Sequence, residues 1–365
     1  MKKIRAGVIG ATGYAGAEII RLLAAHPQAE IAWVGSRSYS GQKLSAIYGN
    51  LFKTVDLPLI DDDTDKMKEE LVHLADETDV IFTATPQGAC AQMISEELLS
   101  RTRIIDMSAD FRLKDVAVYE KWYKLEHKAP EFLEEAVYGL VEINRAKIPS
   151  ARILANPGCY TTCSILTAYP LVKEGLIDPQ TLIIDALSGV SGAGRGAKVA
   201  NLYCEVNESA KAYGVAGHRH TPEIEEQLDY ALGKKEKEHY ITLTFTPHLV
   251  PMNRGILATE YASLIKKEDG TLPTQEEIAA VYEKYYGKEQ FIRLLPAGSC
   301  PETRFVEGSN FVDIGFKVDT RTGRVIMMGA IDNLMKGAAS QAVQNMNLMF
   351  GFPEETGISM IPMVP

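Results

Sequence analysis

The stretch Ile4-Arg5-Ala6-Gly7-Val8-Ile9-Gly10-Ala11-Thr12-Gly13-Tyr14-Ala15-Gly16 decides how the first half of this chain folds. Ile4–Ile9 reads as a short buried strand. From Tyr14 to His26, Ile19, Ile20, Leu22 and Leu23 fall on one helical face, and Pro27 ends the helix. Between strand and helix, Gly10, Thr12, Gly13, Tyr14, Ala15 and Gly16 make a GxxGxxG turn. Glycines there allow a tight turn and close backbone approach, and the helix start favours a pyrophosphate. That context predicts a dinucleotide site.

Reading outward, Ile31–Val34, Val80–Ala84 and Ile104–Asp106 are further strands, with Glu69–Ala75 and Cys90–Leu99 helical between them. Strands alternating with helices predict a Rossmann-like α/β domain, a doubly wound parallel sheet. The second strand runs into Gly35-Ser36-Arg37-Ser38, without the carboxylate that an NAD enzyme usually places there. Arg37, flanked by the hydroxyls of Ser36 and Ser38, suits a 2′-phosphate. The cofactor expected is therefore NADP(H).

Beyond residue 157 the texture changes. Tyr160–Glu174 reads as a helix and Leu182–Leu187 as a buried strand. Tyr240–Pro247, Gly255–Ile265, Asn310–Val318 and Arg324–Ile331 read as long strands, the last two joined by a turn at Thr320–Gly323. Sequential long strands predict an α+β domain with a mainly antiparallel sheet. Asn333–Phe350 reads as one helix with Leu334, Ala338, Ala342 and Met346 on a stripe. The expected division is a nucleotide-binding domain over 1–157, completed by 333–365, and a catalytic and oligomerisation domain over 158–332.

Bulk properties narrow the function classes. A length of 365 residues favours two domains. A formal charge of −10 argues against a nucleic-acid surface. No apolar run approaches the roughly 20 residues that span a bilayer. The start at Met1-Lys2-Lys3 lacks the apolar region of a signal peptide, so the expected address is cytoplasmic. Cys90, Cys159, Cys163, Cys204 and Cys300 show no CxxC spacing, hence no disulfide framework and no zinc ribbon.

One of the five cysteines stands apart. Asn156-Pro157-Gly158-Cys159-Tyr160 puts Cys159 at a helix start, where the partial positive charge favours a thiolate nucleophile. His218 and His220, in Gly217-His218-Arg219-His220-Thr221-Pro222-Glu223, lack the companions of a metal site. They suit general acid/base work, with Glu223 able to orient an imidazole. Ser188, Gly189, Ser191 and Gly192, in a glycine-rich loop after a strand, offer backbone N–H groups to an anion or to the nicotinamide.

These segments, with Ser108–Leu113, His248–Ile256, Gly308–Ile314 and Asp332–Ala339, run the full length of the chain. In them the chain resembles the N-acetyl-gamma-glutamyl-phosphate reductases, within the wider aspartate-semialdehyde dehydrogenase-like superfamily. The resemblance implies reduction of an acyl phosphate to an aldehyde through a thioester on Cys159, with NADPH as reductant. It implies His220 as acid/base, with His218 so near that the choice between them stays open. It also implies Arg112 and Arg254 as contacts for phosphate and carboxylate in either order, and Pro86 and Asn333 near the nicotinamide.

A homodimer or homotetramer is the assembly implied. Rival readings are an aspartyl-phosphate reductase, which would surround the cysteine and histidines differently, and a reductase of an N-modified aminoadipyl phosphate, since one extra methylene discriminates by only about 1–3 kcal/mol. A non-catalytic NADP-binding regulator is the rival of another class.

Overall fold

Ile4–Ile9 is the strand β1 of a seven-stranded sheet in a computed structural model of the protein, which describes residues 3–364. The chain divides into two compact units. One runs up to Gly158 and adds Ala338–Met360; the other is Cys159–Gly337 with the residues from Ile361 on. Met1, Lys2 and Pro365, which enter the sequence reading at its two ends, lie outside the described residues.

In the first unit β2 is Ala29–Gly35, β3 Leu59–Ile60, β4 Val80–Thr83, β5 Arg103–Asp106, β6 Val137–Tyr138 and β7 Ile153–Ala155. The order is β3-β2-β1-β4-β5-β7-β6, and every pairing is parallel. This is the doubly wound, Rossmann-like sheet that the alternating pattern predicts. Ile81, Ile104 and Ile153 point into a cluster with Met67, Leu71, Cys90 and Leu98 from the connecting helices. The helix Tyr14–Ala25 packs against the C-terminal helix Ser340–Met349. Strand order reverses between β1 and β4, and ligands of such sheets bind beyond the carboxyl ends at that point. The glycine turn leaves β1 there, and Thr85–Gly88 leaves β4.

One predicted helix is broken. Cys90–Leu99 forms two short helices, Ala89–Met93 and Glu96–Leu99. Ile94 is extended, and the Ser95 hydroxyl restarts the helix by accepting from Leu98 N at 3.2 Å.

The second unit is built on the helix Cys159–Lys173, which lies on a sheet of order β12-β13-β14-β11-β8-β10-β9. Its strands are β8 Ile177–Ser188, β9 Lys211–Ala212, β10 Thr244–Leu249, β11 Ile256–Leu264, β12 Ile292–Leu294, β13 Val312–Asp319 and β14 Arg324–Ile331. Most pairings are antiparallel, but β8 with β10 and β12 with β13 are parallel. A parallel pair needs a crossover. The segment from Gly189 to Leu243, with its helix Thr221–Ala231, supplies the one between β8 and β10. Strand β10 starts at Thr244, later than the apolar run suggests. The amides of Tyr240 and Ile241 donate instead to the Asp229 carboxylate, at 3.0 and 2.9 Å.

The helix read over Asn333–Phe350 is also two elements, a π-turn at Met335–Ala339 and then Ser340–Met349. Gly337 N donates to Asp332 O five residues back at 3.0 Å, the bond that defines a π-turn.

Along β11, Ile256, Ala258, Glu260, Ala262 and Leu264 are buried, while the residues between them are half-exposed. The buried row faces the helix Cys159–Lys173, for Gly329, paired with Ala258, abuts Cys163 and Thr167. Glu260 is thus a carboxyl group inside an apolar layer. Burial pushes its pKa well above the carboxylate range, with the Ser164 hydroxyl opposing the rise only in part. Below the ordinary carboxyl pKa both the folded and unfolded chains hold the proton and stability is unaffected. Above it the unfolded chain ionises first, so stability falls as pH rises, by up to about 1.4 kcal/mol per unit. Glu260→Gln should therefore stabilise the second unit against urea, little at pH 5 and markedly at pH 8. An equal gain at both values would contradict a protonated Glu260.

Candidate active site

In the first unit the turn after β1 is tight: Ala11 N donates to Gly35 O at 2.9 Å and Gly13 N to Gly10 O at 3.0 Å. Gly10 has φ +75°, and a Cβ there would strike Ala84 O; a Cβ on Gly16 would strike Gly10 O. The helix that follows has Gly13 at its N-cap, no side-chain cap and no acidic residue in its first turn. Its first amides therefore stay available to an anion. Thr12 and Ser36 share a hydroxyl hydrogen bond of 2.7 Å, and Tyr48 donates to Thr12 O at 3.0 Å. Tyr14, Arg37 and Ser38 are exposed beside them.

The stretch Gly35–Ser38 at the end of β2 carries no carboxylate of its own. The segment after β3 brings Asp62 and Asp63 to the same place. Asp62 accepts from Gly10 N at 2.8 Å, and Asp63 lies 3.8 Å from the Arg37 guanidinium.

Further along this unit, buried Asp110 accepts from Gly88 N at 2.7 Å, Ala91 N at 3.1 Å and the Tyr119 hydroxyl at 2.9 Å. It fixes the turn that carries exposed Pro86. Arg112, two residues on, is almost buried and donates to Met107 O at 2.8 Å.

In the second unit Cys159 is the first residue of its helix and is half-exposed. Cys163 and Cys90 are fully buried, and burial raises both thiols above the ordinary range. Glu260 adds to the rise at Cys163, and Asp106 and Asp110 to that at Cys90. Neither is a thiolate at neutral pH. Cys204 and Cys300 are exposed on other segments.

Tyr160, next to Cys159, sets its ring 5.7 Å from that of His218 and 6.0 Å from that of His220. The two imidazoles are 4.9 Å apart, and Tyr213 and Phe245 close around His218. Burial, helped by the Arg219 charge, brings His218 down to about 4. Its Nδ1 accepts from His220 N at 3.2 Å. His218 is thus neutral at physiological pH. His220 stands at the start of the helix Thr221–Ala231. Glu223, one turn in, is buried and accepts from the Thr161 hydroxyl at 2.8 Å, tying this helix to that of Cys159.

The loop Ser188–Gly192 lies against Asn253–Gly255. Gly189 N donates to Gly255 O and Ser191 N to Asn253 O, and a Cβ on Gly189 would sit 2.6 Å from Asn253 O. Asn333 joins the two, accepting from Gly255 N at 2.8 Å and donating to the Ser191 hydroxyl at 3.0 Å. Gly192 lies near Asn333 and the Ser188 hydroxyl. Arg254 is held by fully buried Asp332, Nε to Oδ2 at 3.0 Å.

Sequence reasoning assigned no role to Asp332, Tyr213, Thr161 or Gly337. The hydroxyl of Tyr213 donates to that of Tyr160 at 3.1 Å, and burial pushes it up to about 12. A Cβ on Gly337 would lie 2.9 Å from Cys159 Cβ. A glycine inside a π-turn, against a cysteine at a helix start, is the signal that would have exposed this contact. Gly337→Ala should lower turnover by more than about tenfold by displacing Cys159, as misplacements near 1 Å do. Cofactor affinity, measured by fluorescence titration, should stay within about twofold; unchanged turnover would show that the contact is not needed.

Comparison with known proteins agrees with both units. The family described as semialdehyde dehydrogenase, NAD binding domain, matches residues 5–151, and semialdehyde dehydrogenase, dimerisation domain, matches residues 159–333. The chain is 64% identical to the N-acetyl-gamma-glutamyl-phosphate reductase of Lachnospira eligens, over 99% of this chain and all of that one. It is 56% identical to that of Campylobacter jejuni, over 98% of each. Aspartate semialdehyde dehydrogenase II of Vibrio cholerae shares the fold, with a TM-score of 0.68 and 14% identity over 96% of this chain and 99% of that one. So does the Candida albicans aspartate semialdehyde dehydrogenase with NADP, at 0.63 and 19%, over 96% and 99%. The chain belongs to the N-acetyl-gamma-glutamyl-phosphate reductase family of semialdehyde dehydrogenases.

Proposed function

We propose that the protein reduces N-acetyl-gamma-glutamyl phosphate to N-acetyl-L-glutamate 5-semialdehyde and phosphate, with NADPH, through a thioester on Cys159. The reading is carried by Cys159 itself, half-exposed at a helix start with Tyr160 packed on two histidines. Kinship over the full length with reductases of that name supports the substrate, a place in arginine biosynthesis and a cytoplasmic address.

The Cys159 thiolate attacks the acyl carbon; the S–C bond forms, and the C–O bond breaks with its electron pair on the departing phosphate. When bound, NADPH supplies the hydride that reduces the thioester carbon. His220 gives a proton to the oxygen of the resulting thiohemiacetal. It takes that proton back as the C–S bond breaks and the thiolate returns. Neutral His218 orients His220 rather than serving as the acid, because its proton is lost at about pH 4. Arg254, aimed by Asp332, and Arg112 hold the phosphate and the carboxylate. Glu223 positions the two helices.

The open amides after Gly13 and the hydroxyls of Thr12 and Ser36 fit a dinucleotide, and Arg37 fits its 2′-phosphate, which favours NADP(H) over NAD(H). Pro86, Asn333 and the loop Ser188–Gly192 serve the nicotinamide end.

In the oxidative direction the protein should reduce NADP with the semialdehyde only when phosphate is present. Cys159→Ala should lose on the order of a thousandfold or more of that rate while still binding NADPH. Activity that survives the substitution, or that needs no phosphate, would sink the mechanism. The half-exposed face of the second sheet, with Leu257, Tyr261 and Met328, supports a homodimer or homotetramer. Light scattering on the full chain should give two or four times the chain mass of 40.1 kDa; a single chain mass would refute that assembly.

A further inference from the structure

Three segments meet where the adenosine end of the cofactor is expected: the turn after β1, the end of β2 and the acidic run Asp61-Asp62-Asp63 after β3. Asp62 joins them. Its carboxylate accepts from Gly10 N at 2.8 Å and also from the amide of Arg37. Its Cβ lies 2.9 Å from where a Gly35 side chain would begin, so only glycine admits it so close to β2. Asp63 is set beside the Arg37 guanidinium, 3.8 Å from Nη1 to Oδ2, while the Arg37 side chain stays 70% exposed. Asp61 pairs with Lys66 at 2.7 Å and accepts from Asp63 N at 3.2 Å; the Arg37 charge is the weakest of the influences on it.

From this arrangement we infer that Asp63 is a specificity-determining residue, a fixed counter-charge with which a 2′-phosphate must compete for Arg37. The inference rests on the reading of Arg37 as the 2′-phosphate contact. A phosphate that approaches Arg37 displaces the carboxylate and must also lie near its charge. The acid therefore weakens NADP binding selectively, and preference for NADP over NAD is smaller than Arg37 alone would give. A cofactor without the 2′-phosphate leaves the ion pair intact and is not affected. An exposed pair of this kind acts through screened charge, so its influence fades with salt.

The test measures dissociation constants of 2′,5′-ADP and 5′-AMP for the full-length protein and three variants, at low and high salt. Asp63→Asn should tighten 2′,5′-ADP by about two- to fivefold at low salt, the range of an exposed ion pair. Binding of 5′-AMP should be unchanged, and the gain should shrink in concentrated salt. Asp61→Asn makes the same change of charge one step away, at a carboxylate held by Lys66, and should have the smaller effect. Arg37→Ala should weaken 2′,5′-ADP alone. If Arg37→Ala weakens it but Asp63→Asn changes nothing, the counter-charge is refuted and the phosphate site stands. Equal effects of Asp63→Asn and Asp61→Asn, or equal tightening of both nucleotides, refute it too. If Arg37→Ala leaves 2′,5′-ADP untouched, the phosphate site and the counter-charge fall together.

Discussion

The helix Cys159–Lys173 is buried on nearly every side, and the second unit is organised by that constraint. Twelve of its fifteen residues are inaccessible. Gly329 has no side chain because Cys163 and Thr167 lie against it, and Gly337 has none because Cys159 does. Tyr282 and Tyr286 donate to the carbonyls of Thr167 and Leu166, both at 2.7 Å. A reactive residue at a flexible tip would sample many positions. Cys159, half-exposed at the start of this helix, instead inherits the rigidity of a packed core.

In each unit, taken by itself, irregular loops are held by the same device. Three buried or half-buried carboxylates collect backbone N–H groups that no regular structure uses. Asp62 takes Gly10, Asp110 takes Gly88 and Ala91, and Asp332 takes Gly308, Leu334 and Met335. Each secures a segment bearing a group proposed to meet an anion, whether open amides, a turn beside Arg112, or Arg254 itself. Carboxylates suit the task because bonds from N–H to a charged acceptor are strong in a partly dry setting. They also place negative charge near groups meant for phosphates. Selectivity and binding strength are therefore set against loop order.

Much of this was legible in the sequence, for identifiable reasons. Glycine spacing between Ile9 and Ile19 reports steric demands local to a few residues, and the structure places a strand, turn and helix there. Cys159 was distinguished by its neighbours Pro157 and Gly158. What escaped depends on partners distant in the chain. Asp62 lies 52 residues from Gly10, and Asp332 78 residues from Arg254. Periodicity also misled where a side chain captured backbone amides. Asp229 delays β10, and Ser95 splits a helix that apolar spacing reads as one. His218 and His220 look alike in sequence; Tyr160 meets both rings, and it is Tyr213 and Phe245, packed on His218, that set the two apart.

The π-turn at Met335–Ala339 lies where the chain leaves the second unit to complete the first. The helix that follows fills a gap in the nucleotide-binding half. Asn345 donates to Gly139 O at 2.7 Å, Asn347 meets His26 at 2.9 Å, and the helix packs on Tyr14–Ala25. Ribosomes make this segment after Cys159–Gly337, nearly all of the second unit. The half of the protein translated first thus lacks this helix until synthesis is nearly over, whereas Cys159–Gly337 is by then already made. A messenger cut short by a few dozen codons would leave the nucleotide-binding half without this helix.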